Sequence, residues 1–98
     1  MARSLDLSLG DGMKTVRKFW FRFEKLQRPT ALNLGCGVSA FDYEDALNLL
    51  KERIFGPNGP PPIVQCIEDV QISDLEKSHV LPNIGSMDIR GIWFPQGY

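Results

Sequence analysis

The chain has 98 residues, of which 43% are apolar and 23% charged, with a formal net charge of −1. That is ordinary globular usage within the span of one domain, and it excludes a disordered tail, a collagen-like fibre and a coiled coil. No apolar run approaches the roughly 20 residues that a membrane-spanning helix needs, so no membrane partner is expected. Two cysteines, Cys36 and Cys66, are too few for a disulfide framework. Leu5, Leu7 and Leu9 alternate with polar residues instead of forming the continuous apolar stretch of a signal peptide. Both features point to the cytoplasm. The charge is uneven, at +4 over residues 1–28 and −5 over residues 29–98. Such asymmetry marks either an anion-binding face or two halves that neutralise each other in the fold; the second reading is preferred, because isolated surface charge pairs are common and individually weak.

Residues 1–13 end in Gly10-Asp11-Gly12, a breaker signal. They read as a flexible N-terminal segment ahead of a single domain at 14–98, and Met13 is an alternative start. Residues 14–24 alternate strictly: Phe19, Phe21 and Phe23 share one face, while Lys18, Trp20, Arg22 and Glu24 share the other. A period of two with aromatic residues predicts a strand with three phenylalanines turned toward a core. Residues 25–40 read as a long connection, with room for a short strand near 31–34. Tyr43, Ala46, Leu47, Leu50 and Ile54 then form a helical stripe. Asp42 stands as the N-cap and Gly56-Pro57 as the stop, which predicts a helix over 42–55. Pro57-Asn58-Gly59-Pro60-Pro61-Pro62 is an extended linker, and residues 63–70 read as a mostly buried strand. Ser73-Asp74-Leu75-Glu76 matches a capping box. Residues 89–94 read as the last strand, stopped by Pro95.

This order predicts an α+β fold of two layers, one main helix packed on a small three- to four-stranded sheet. If strands 14–24 and 63–70 are parallel neighbours, the crossover through the helix is right-handed. Trp20, with Trp93 or with Ile92 and Phe94, must then lie on the outer face of the sheet, and an aromatic outer face calls for a cover or a partner. Tyr98 is a candidate for an intramolecular cover.

Leu32-Asn33-Leu34-Gly35-Cys36-Gly37 resembles the first motif of class I S-adenosylmethionine-dependent methyltransferases, in which a strand enters a glycine-rich turn that opens a helix. The chain departs from that pattern at Asn33, where the family carries an acid, and at Ser39, where it carries a third glycine. It is also about half the length that fold requires. A tight loop needing small residues explains the motif without a cofactor, and none is expected. A second resemblance rests on Gly35-Cys36-Gly37-Val38-Ser39-Ala40-Phe41-Asp42-Tyr43-Glu44-Asp45-Ala46 and Arg90-Gly91-Ile92-Trp93-Phe94-Pro95. Together these are similar to a set of small bacterial proteins of unknown function. That resemblance implies a bacterial origin and a compact stand-alone domain, and it supplies no catalytic residue.

Cys36, close before a helix start, has the position of a reactive thiol, but a nucleophile needs a base and the only histidine is His79. Cys36, Cys66 and His79 are spaced too widely for a zinc site, and Asp42, Glu44 and Asp45 do not follow a calcium-loop pattern. No metal is expected. The preferred expectation is a non-enzymatic module that binds a protein partner or itself through Trp20, Arg22, Trp93 and Phe94. The alternative is a small-ligand binder or enzyme at Gly35, Cys36, Gly37 and Ser39, taken as a loop at the helix N-terminus, with Cys36 labelling faster than Cys66. A second alternative is single-stranded nucleic-acid binding by Lys18, Trp20 and Arg22. It is disfavoured because only one ring joins the basic face.

Overall fold

The computed structural model describes residues 15–98; the expectation for residues 1–13 lies outside them. Strand β1 (Arg17–Phe23) forms where the alternation predicts it and runs through the middle of a four-stranded sheet. It pairs antiparallel with β2 (Cys36–Ala40) on one side and with β3 (Ile63–Glu68) on the other. β4 (Gly91–Phe94) pairs antiparallel with the far side of β2, so the sheet order is β3-β1-β2-β4. The strands at the two ends of the expected crossover, β1 and β3, are thus neighbours but antiparallel. The helix instead links β2 to β3, which lie on either side of β1.

Helix α1 (Tyr43–Leu50) starts at Asp42, whose carboxylate accepts the backbone N–H of Asp45 at 2.8 Å. The Asp45 carboxylate accepts in turn from the N–H of Phe41 at 3.0 Å, so the two carboxylates answer each other across the start of the helix. The last predicted turn is a π-helical one, Lys51–Phe55, closed by the Gly56 N–H on the Lys51 carbonyl. Gly56 takes φ +78°, a positive-φ conformation that glycine adopts without the penalty a Cβ would bring.

The phenylalanine face of β1 is roofed by α1, as the two periodicities require. Phe19, Phe21 and Phe23 pack with Cys36, Val38 and Ala40 of β2 and with Ala46, Leu49 and Leu50 of the helix. Each buried Phe or Leu contributes about 1.5–3 kcal/mol through the area it removes from water. Tyr43, expected at the head of the apolar stripe, stays at its margin with 39% exposure, its ring 6.0 Å from that of Phe21. Leu49, absent from the expected stripe, is fully buried.

Three local expectations are corrected. The predicted short strand near 31–34 is a 3-10 turn (Ala31–Asn33), because the Thr30 hydroxyl accepts from the Leu32 N–H and starts a helical bond pattern there. The segment read as a glycine loop is β2. The one short helical turn that the capping-box match at Ser73–Glu76 predicts does form, but two residues earlier, over Ile72–Asp74, where the Asp74 carboxylate accepts from the Gln71 N–H at 3.0 Å.

The second face of the sheet is also covered by the chain itself. Residues 70–88, which hold two 3-10 turns and no strand, fold back across it. Val70, Leu75, Val80 and Met87 pack there on Trp20, Trp93 and Phe94. The cover is tied down at its start and, twice, near its end. The Val70 N–H bonds the Lys18 carbonyl at 3.1 Å, the Gly85 N–H bonds the Trp93 carbonyl at 2.7 Å, and the Ser39 hydroxyl donates to the Met87 carbonyl. Tyr98 takes no part in this roof and is 44% exposed.

Candidate functional site

The residues expected to bind a ligand, Gly35, Cys36, Gly37 and Ser39, do not form a loop at the helix N-terminus. They lead into and build β2, an interior strand, where Cys36 and Ser39 are fully buried. The two glycines make room for rings: a Cβ on Gly35 would overlap the Trp20 indole, and one on Gly37 would overlap that of Trp93. The strand follows the glycine at 35 instead of preceding it, so the order of elements in the methyltransferase-like motif is inverted. No open surface is left at these four positions for a ligand to reach.

Burial also decides the thiol chemistry. Desolvation pushes the Cys36 thiol up to about 12, which keeps it protonated and unreactive. Cys66 lies half-buried on β3, where burial and the nearby Glu68 carboxylate raise it as well. His79 sits in the cover segment, on the face of the sheet opposite Cys36, with its Nδ1 3.6 Å from the Glu76 carboxylate. Neither cysteine has this imidazole as a base. Among the described residues, no three His, Cys, Asp or Glu side chains converge on a possible metal position.

The four residues expected to contact a partner separate. Trp20, Trp93 and Phe94 are at most 7% exposed and pack on each other, with the Trp20 ring 5.9 Å from Trp93 and 5.7 Å from Phe94. A bulge in β4, where Val38 faces Ile92 and Gly37 faces Phe94, allows the consecutive residues Trp93 and Phe94 to join the same cluster. The Trp93 Nε1 is buried there without an acceptor among the described residues. Arg22 alone remains exposed, 3.4 Å from the Gln65 side-chain oxygen. With its indole buried, Trp20 offers no stacking surface to a nucleic-acid base.

What the sheet leaves open is an edge. Among the described residues β3 pairs only with β1, and its outer backbone donors and acceptors face away from the sheet. Val64 is the extra residue of a bulge in this strand and is 58% exposed; Gln65 beside it is exposed as well. Read from sequence, residues 63–70 are a mostly buried strand. Its edge position, which decides the exposure, follows from strand order and has no local signal. The opposite edge, β4, has only four residues and ends at Pro95, which has no backbone N–H to donate.

Among the described residues, no helix is long and apolar enough to cross a membrane. No family model, curated protein or solved structure matches the chain, and neither the bacterial nor the methyltransferase resemblance gains support from these comparisons.

Proposed function

We propose that the chain is a small, non-enzymatic interaction module of the cytoplasm that associates through the open edge of β3, in the first instance with a second copy of itself. The observation that carries this reading is the six-residue edge strand with Val64 and Gln65 turned to solvent. An unpaired strand edge is a template for another strand. The free thiols of Cys36 and Cys66 support a reducing compartment.

Symmetry narrows the pairing. Residues directly opposite in an antiparallel pair share a face of the sheet. Cys66 lies opposite Phe21 and belongs to the helix side, whereas Gln65 and Ile67 lie opposite Arg22 and Trp20 on the other side. A two-fold axis at Cys66 sets Gln65 against Ile67 of the second copy and Val64 against its Glu68. Both helices then lie on the same side of one eight-stranded sheet.

Sedimentation equilibrium tests the reading. The wild-type chain is expected to show a concentration-dependent dimer. Val64→Glu, which sets two carboxylates opposite each other, is expected to weaken it, while Val64→Lys, which faces Glu68 with the opposite charge, retains it. A monomer at every accessible concentration, or equal dimerisation of the Val64→Glu variant, overturns the proposal.

A further inference from the structure

A cavity of about 340 Å³ opens between the start of β1 and the cover segment. It lies at the small end of the range in which proteins bind compact ligands, roughly 300–1,000 Å³. Its apolar lining comes from the cover: Val70, Ile72, Ile84 and Met87. Two charged residues also line it, Lys18 from β1 and Asp88 from the end of the cover. Lys18 and Asp88 form no close ion pair with each other or with any described residue, although the Lys18 charge also reaches Asp69. The backbone framing the cavity is fixed, because the Val70 N–H, the Gly85 N–H and the Met87 carbonyl are the same groups that tie the cover to the sheet.

We infer that this cavity binds a small zwitterion with an apolar body, of the class of a free apolar α-amino acid. The argument is one of charge complementarity. Two opposite charges that line one apolar cavity without meeting are matched by a ligand carrying both signs, its carboxylate toward Lys18 and its ammonium toward Asp88. A ligand with a single charge meets only one of the two groups and gives up the other charge-assisted contact. The apolar body of the ligand covers Val70, Ile72, Ile84 and Met87, replacing water on surface that is otherwise wet.

Isothermal titration calorimetry with L-leucine and L-methionine tests this, with 4-methylpentanoate and leucinamide as analogues that keep only the negative or only the positive charge. Saturable binding of the amino acids is expected, weaker by about tenfold or more for either analogue, and for Lys18→Gln or Asp88→Asn with the full zwitterion. Amide shifts of Val70, Gly85 and Met87 in a parallel NMR titration locate the ligand. Val64→Glu is expected to bind leucine as the wild type does, which separates this site from the β3 edge. Absence of saturable binding by the wild-type chain, undiminished binding by Lys18→Gln or Asp88→Asn, or shifts confined to other residues overturns the inference.

Discussion

At the scale of single residues, Gly37 shows how a missing side chain can organise a fold. The Trp93 ring occupies the space that a methyl group on this residue would fill. Gly37→Ala is expected to destabilise the protein by about 1–3 kcal/mol, the usual range for overpacking a filled interior; the midpoint of urea unfolding measures it. Glu76 makes a second point. Its carboxylate accepts the backbone N–H groups of Ser78, His79 and Val80 at 2.9, 2.6 and 3.1 Å. These bonds favour the charged form, those of His79 and Ser78 most, and hold the group near about 2 instead of its ordinary 4.5. Between those values the unfolded chain binds the proton more readily than the folded one. The stabilisation is therefore complete above about 4.5 and is lost as the pH falls toward about 2. Denaturation midpoints across that window are expected to fall for the wild type and to fall less steeply for Glu76→Gln. The thiols give a third outcome. Cys66 is half-buried and Cys36 fully buried, so Cys66 is expected to label first with a maleimide, the reverse of what a reactive thiol at a helix start implies. Faster labelling of Cys36, read by mass spectrometry of peptides, would contradict the buried placement of β2.

At the scale of elements, what could be read from sequence was whatever carried its own period. The Phe19-Phe21-Phe23 alternation and the Asp42-capped stripe are strong because each encodes burial on one face at the repeat of its own backbone. β2 carries no such pattern. Cys36-Gly37-Val38-Ser39-Ala40 is made mostly of small residues with weak strand preference, and it becomes a strand because β1 and β4 pair with both of its edges. Its smallness, which reads locally as loop, is required by the indoles of Trp20 and Trp93 lying against the glycines at 35 and 37. The cover is harder still to read. Val70, Leu75, Val80 and Met87 are spaced without a helical or strand repeat, and their common destination exists only once the sheet has formed. The aromatic surplus that suggested a partner was legible; that residues 70–88 are the partner was not. The candidate sites shared this limit. Val64 and the pair Lys18 and Asp88 gain their meaning from strand order and from chain segments far apart in sequence.

At the scale of the whole molecule, the charge asymmetry partly cancels as expected. Arg17, from the basic half, holds Glu68 at 3.0 Å and Asp69 at 2.9 Å from the acidic half. Both partners are exposed, so the pair sets the register of the sheet end more than it stabilises the fold. Arg90 and Asp45 make a second clasp, with the Arg90 Nε 2.8 Å from the carboxylate, fastening the start of β4 to the first turn of α1. The sheet is thus enclosed by two unlike materials: a capped helix on one side and an irregular strap on the other. Both tryptophans belong to the strap side and face each other. The chain's tryptophan fluorescence consequently originates in that compartment alone: lifting the strap would shift the emission colour while leaving the helical dichroism in place, so the two optical signals report on opposite sides of one sheet.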